Sequence, residues 1–166
     1  MLDEIPEYDM VKWYWDLEWQ QGGEHDGAIT CISLTSGKYT RAFTWFPDIK
    51  ENPERLSVFY TLDWVLVYDS EKEMLEKFLK LLKTDDPDML ISWFGSKFDL
   101  PKLIERLHAN ELDPRELSPY NDVKGVYFAD GIQLSKNVNS YNPVEQPIRG
   151  RIVLNLDLAF ERQWND

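Results

Sequence analysis

Little in this chain supports covalent or soft-metal chemistry. Its 166 residues include one cysteine, Cys31, and two histidines, His25 and His108. A lone cysteine cannot close an internal disulfide, which points to a reducing, intracellular (cytoplasmic) setting. Sitting in an apolar run, Cys31 reads as a core residue and not a nucleophile. The histidines are too far apart in sequence to show metal-ligand spacing. The signatures G-x-S-x-G, G-x-x-x-x-G-K-[ST] and G-x-G-x-x-G are missing. No apolar run approaches a membrane span, and Met1-Leu2-Asp3-Glu4 is acidic where a secretory signal is basic. Positive charge is also scarce: 18 Lys and Arg stand against 30 Asp and Glu, a net charge of −12. That excludes a non-specific basic coat for nucleic acid and a polybasic membrane binder. It does not exclude a site assembled from carboxylates and a metal ion.

What is present is a core-sized stock of apolar residues, 43 %, with seven Trp, eight Tyr and eight Phe. The length suits one domain, 1–166. The aromatics can fill that core or offer stacking platforms for bases. Repeats, low-complexity tracts and linkers are not evident. Residues 1–11 read as an acidic entry arm. In 12–19, Trp13, Trp15, Leu17 and Trp19 alternate with Tyr14, Asp16 and Glu18, which predicts a strand. Residues 27–34 and 38–46, joined through Ser36-Gly37, predict a hairpin. Residues 47–56 read as loop and 57–68 as extended chain.

The clearest helix is 71–83. Ser70 and Glu73 form a capping box, and Met74, Leu75, Phe78, Leu79 and Leu82 share one face. Residues 89–93 suit a buried strand, parallel to its neighbour, and 99–109 a second helix. Residues 111–149 form an irregular excursion with a small hairpin at 127–132, and 151–160 a last strand. Three antiparallel strands followed by helical crossovers predict an α/β mixed sheet with flanking helices.

Asp16 and Glu18, at i and i+2 of one strand, project to one side with Cα atoms roughly 6.5–7 Å apart. Two such carboxylates repel unless a cation sits between them. With oxygen ligands that cation would be Mg²⁺ or Mn²⁺. The plainer alternative is the wet face of a strand. Asp99 follows a buried strand and opens a helix, a place where open α/β sheets receive ligands; its plainer role is a helix N-cap.

Together these residues resemble a known pattern. Asp16-Leu17-Glu18 is similar to the first exonuclease motif, D-[IL]-E, of family B DNA polymerases. Residues 70–78 resemble the family's "s-E-k-e-l-L-x-x-F" helix. Residues 86–93 with 98–107 resemble its "d-P-D-i-i-x-x-[WY]-N-x-x-x-F-D-l-p-y-L-x-x-R" block. Gly150-Arg151-Ile152-Val153-Leu154 resembles its "G-R-x-x-x-D" strand. The likeness covers about 15–158 in order. It implies a ribonuclease-H-like fold and a 3′–5′ exonuclease (proofreading) activity on the 3′ end of single-stranded DNA. It implies Asp16, Glu18 and Asp99 as catalytic ligands of two divalent ions, Mg²⁺ or Mn²⁺. Phe98 would lie beside the terminal base and Lys97 beside the substrate. Lys97, Lys102, Arg106, Arg149 and Arg151 could frame a strand channel.

Three departures stand out. Phe94 occupies a position where the family carries Asn. Asn155 replaces an Asp, with Asp157 two residues on and expected on the same face. The third motif, Y-x-x-x-D, does not occur before Asp166. The expectation is a partial exonuclease domain, weakly active or inactive alone. Its missing C-terminal part and polymerase domain would be its partners, and a phage (in an infected bacterial host) its source. The alternative is a non-catalytic module of the same fold that binds single-stranded DNA or a polymerase chain. A third reading is a metal-dependent nuclease of another ribonuclease-H-like family.

Overall fold

The computed structural model describes residues 8–47, 53–129, 132–135 and 146–164. Strand β1, Lys12–Trp19, carries the expected alternation: Trp13, Trp15 and Leu17 are buried, while Tyr14, Asp16 and Glu18 face outward. Strands β2 (Ile29–Thr35) and β3 (Thr40–Thr44) complete an antiparallel meander. The Ser36 hydroxyl caps the turn between them by accepting from the Lys38 and Tyr39 amides.

The segment 57–68 is not the extended run its Val58, Phe59 and Tyr60 suggest. Residues Pro53–Tyr60 form helix α1, and only Val65–Val67 form a strand, β4, parallel to β3. Pro53 with Glu54 in the first turn is a helix-start signal that outweighs β-propensity here.

Helix α2, Glu71–Asp85, begins as expected. Ser70 Oγ accepts from the Glu73 amide at 3.1 Å, and Glu73 reaches back to the Asp69 amide at 3.2 Å. Its apolar stripe brings Phe78 against Trp13, Trp15 and Phe43 at the centre of the core. The chain crosses over to β5, Met89–Ser92, parallel to β1. One turn of π-helix, Gly95–Asp99, then leads into α3, Leu100–Ala109.

The excursion contains a 3₁₀ turn, Pro114–Leu117, and a two-stranded pair, β6 (Val126–Ala129) and β7 (Ile132–Ser135). Leu117, Val123 and Ile148 tie it to the main core. The expected last strand is shorter than its apolar run: β8 is Ile152–Asn155, and Leu156–Trp164 is a helix, α4.

The six-stranded sheet has the order β4-β3-β2-β1-β5-β8, with β1 central, antiparallel to β2 and parallel to β5. This is the ribonuclease-H-like mixed sheet expected above. Helices α2 and α3 cover the face that holds Trp13, Trp15 and Leu17. The other face of β1, with its two carboxylates, is open to solvent.

A buried carboxylate ties the motif segments together. Glu71 is 5 % exposed and accepts from Ile29 N at 2.7 Å, Arg106 Nε at 2.8 Å and Asn110 Nδ2 at 3.0 Å. Arg106 adds a second, Nη2, contact at 2.5 Å. Arg106 is therefore a structural partner of α2 and does not frame a strand channel. Arg151, 4 % exposed, is likewise internal: it donates to the Leu117 and Pro87 carbonyls and pairs with Asp86.

Candidate active site

Asp16 and Glu18 stand on the open face of β1, opposite Ser33 and Cys31 of β2. Burial pushes the Cys31 thiol up. The Thr44 hydroxyl opposes that shift, and the charges of Glu18 and Asp16 add to it. A thiol held protonated in this way is a poor nucleophile.

Asp99 closes the π turn. It was open to reading as a helix cap, but it makes no side-chain cap hydrogen bond. It is 5 % exposed, and its Oδ2 has no hydrogen-bond partner. Its pKa is pushed up to about 6, chiefly by burial, with the charges of Asp16 and Glu18 adding to the rise. The neighbouring Ser92 hydroxyl acts in the opposite direction. That hydroxyl is itself buried and outside hydrogen-bond geometry. The charges of Asp16 and Glu18 therefore reach Asp99. As they lie, no group of three His, Cys, Asp or Glu side chains among the described residues is gathered tightly enough to hold an ion.

The residues nevertheless suit a hard cation. All the donors are carboxylate oxygens, one of them buried and unpartnered, and like charges raise its pKa. Asp16 and Glu18 are exposed on the open face of β1.

The π turn is held from below by β8 and α4. Asn155, 4 % exposed, accepts from Ser96 N at 2.7 Å and donates to Ser96 Oγ at 2.9 Å. Asp157 does not continue the strand face of Asn155, because the strand stops at Asn155. From α4 it meets the same turn, with Oδ2 2.8 Å from Lys97 Nζ. Lys97 is therefore ion-paired, although its side chain keeps 38 % exposure. Gly95 permits this packing: a Cβ there would lie 2.3 Å from Ser92 Oγ. Sequence reasoning named Asn155 only as a departure and missed Ser92 and Ser96. The Gly95-Ser96 pair was the local sign of a close approach.

The other basic candidates lie elsewhere. Lys102 pairs with Glu105 at 3.1 Å and covers the Trp19 ring. Arg149 is 71 % exposed in its side chain, near Asp122 and the Tyr120 ring. Phe98 is 54 % exposed beside Asp99.

These features define a ribonuclease-H-like α/β module with two exposed carboxylates on its central strand and a buried one at the turn after β5. A solved family B DNA polymerase from Pyrobaculum calidifontis shares the fold, with a TM-score of 0.58 and 14 % identity over 93 % of this chain and 16 % of that one. Over residues 13–162 the sequence matches the family described as DNA polymerase family B, exonuclease domain. The chain belongs to that family. DNA polymerases of Pyrococcus glycovorans and Thermococcus litoralis are 47 % and 35 % identical to it over 80 residues, 48 % of this chain. The chain spans 9 % and 4 % of the lengths of these two curated relatives. Among the described residues no helix is long and apolar enough to cross a membrane.

Proposed function

We propose that this chain is a 3′–5′ exonuclease domain that acts on the 3′ end of single-stranded DNA, in the setting of a family B polymerase. The observation that carries the reading is Asp99. A carboxylate that is buried, capping nothing, with an unpartnered Oδ2, and that feels the charges of two others, costs stability; such costs gather at working sites. Asp16, Glu18 and Asp99 would hold Mg²⁺ or Mn²⁺, with two ions in the complete site. Bound there, the ions would supply an activated water and charge stabilisation at the scissile phosphodiester. The strand that carries Asp16 and Glu18 is anchored, because the opposite face of β1 is locked into the core by Trp13, Trp15 and Leu17. Asp99 is fixed by the Asn155–Ser96 clamp beneath its turn. Phe98 offers a ring to the terminal base. Lys97, already balanced by Asp157, can share its charge with a phosphate. The 166 residues contain no Y-x-x-x-D, so turnover by this chain alone is expected to be slow.

The test is digestion of a labelled single-stranded oligonucleotide in Mn²⁺. Slow shortening from the 3′ end that vanishes in Asp16→Ala is the expected result. Undiminished digestion by Asp16→Ala would overturn the assignment, and cleavage of circular DNA or RNA would place the activity in another nuclease class. Binding in EDTA without any digestion would favour the non-catalytic reading.

A further inference from the structure

Five buried side-chain atoms among the described residues have no hydrogen-bond partner. Two are the indole nitrogens of Trp13 and Trp15, on the core face of β1. The other three, Ser92 Oγ, Asp99 Oδ2 and Asp157 Oδ1, frame the π turn. Ser92 ends the strand before it, Asp99 closes it, and Asp157 pairs with its Lys97. Native folds leave few such atoms, and each calls for a reason. Asp157 already has its other oxygen on Lys97 Nζ. Ser92 and Asp99 differ from it, because one offers a donor and the other an acceptor. They are 3 % and 5 % exposed, and close enough for the hydroxyl to act on the carboxyl.

The fold keeps the Ser92 hydroxyl in this place. Ser92 pairs in register with Asn155 of β8. The π turn folds back over it, so that a Cβ on Gly95 would lie 2.3 Å from Ser92 Oγ and 3.3 Å from Asn155 Oδ1. The Asn155 amide is committed at both ends to Ser96. Asp99 offers the hydroxyl an acceptor with no other partner.

We infer that Ser92 is a positioning residue for Asp99. Its hydroxyl donates to the unpartnered Asp99 oxygen when the site is loaded with a divalent ion, and so fixes which way that carboxylate faces. This rests on the carboxylate reading of the site and adds one residue to it. Asn155 and Ser96 hold the backbone of the turn; Ser92 controls the side chain at its end. Carboxylates that ligate a metal are themselves hydrogen-bonded, and loss of such a partner weakens metal binding by about 10–100-fold. A hydroxyl donating to an ionised carboxylate makes one of the stronger hydrogen bonds. In the metal-free chain the same hydroxyl is a cost, because it is buried and unbonded. The two states therefore make opposite demands on this position, and that opposition can be measured.

The test is Mn²⁺ titration by electron paramagnetic resonance on the DNA-free chain, joined to urea unfolding in EDTA. Ser92→Ala should weaken Mn²⁺ by about tenfold or more. It should not lower the urea midpoint in EDTA, since it removes a hydroxyl that has no partner there. Ser92→Thr restores a hydroxyl on a strand-favouring residue and should recover most of the Mn²⁺ affinity. If its extra methyl unfolds the chain, as circular dichroism would show, the alanine variant alone decides. Unaltered Mn²⁺ affinity in Ser92→Ala would overturn the inference, as would a folded Ser92→Thr that binds no better than Ser92→Ala. A lowered midpoint for Ser92→Ala in EDTA would show that the hydroxyl is already satisfied, for instance by a buried water, and would overturn it too. Asp16→Ala, run alongside, separates the two readings. Mn²⁺ lost in Asp16→Ala but kept in Ser92→Ala sinks this inference alone. No saturable Mn²⁺ in the unaltered chain sinks the carboxylate site, and this inference with it.

Discussion

Removing the Glu71 carboxylate should be among the most damaging single changes outside the apolar core. Four polar contacts converge on it, from Ile29 N, Arg106 Nε and Nη2, and Asn110 Nδ2. Glu71→Ala leaves the Arg106 guanidinium, 19 % exposed, without its counter-charge, and the amide of fully buried Ile29 without an acceptor. Breaking a buried ion pair costs about 3–5 kcal/mol, and an orphaned amide about 1–3 kcal/mol. The two overlap, so about 4 kcal/mol is expected, or roughly 10 °C in Tm for a chain of this length. The linkage to pH has a definite sign. Burial opposes ionisation of Glu71, but the bonds from Arg106, Asn110 and Ile29 N outweigh it and hold the carboxyl below its usual range. Its contribution is present above the ordinary Glu value and is lost as pH falls through the lower folded value. Urea unfolding followed by tryptophan fluorescence should therefore show a steep acid limb for the unaltered chain and a shallower one for Glu71→Ala. Arg106→Ala combined with Glu71→Ala should cost less than the sum of the two single changes. A loss below about 1 kcal/mol with an unchanged acid limb would refute the role given to this pair.

Other consequences can be checked with the same assay. Asp99→Asn in EDTA should stabilise the fold at neutral pH by about 3 kcal/mol, because a carboxyl raised to about 6 from an ordinary value near 3.8 destabilises the native state as pH rises through that window. Below about pH 4 the variant and the unaltered chain should converge, and a destabilised variant at pH 7 would contradict the site's electrostatics. Gly95→Ala drives a methyl to 2.3 Å from Ser92 Oγ and 3.3 Å from Asn155 Oδ1. It should cost about 1–3 kcal/mol of stability, and a neutral result would show that the turn is looser than described. Ser70→Ala removes the α2 cap and should cost about 1 kcal/mol by urea unfolding, with a cost near zero counting against the capping geometry.

Much of the fold was legible because its strongest elements obey local rules. The period-two pattern of β1, the Ser70–Glu73 box and the apolar stripe of α2 each point to one answer. The reading failed where local signals conflict. Val58, Phe59 and Tyr60 favour a strand by type, yet Pro53 and Glu54 start a helix there. Residues 156–160 continue an apolar run that reads as strand, but the chain turns into α4. At the site, the carboxylate types and their spacing were visible, and so was the proximity of Phe98 to Asp99. The support beneath Asp99 was not. Asn155 lies 59 positions from Ser96 and Asp157 lies 60 from Lys97, and single-sequence patterns carry no signal for such contacts. Arg106 and Arg151 looked like surface cations because burial of a charge depends on distant partners, here Glu71 and Asp86.

The central claim is that Asp16, Glu18 and Asp99 act together as a divalent-cation site. The most direct measurement is Mn²⁺ titration by electron paramagnetic resonance on the DNA-free chain, repeated with Asp16→Ala and Asp99→Asn. The account predicts saturable binding by the unaltered chain, weakened at least tenfold in each variant. Saturable binding that both variants retain would contradict it, as would the absence of any bound Mn²⁺ at millimolar concentration.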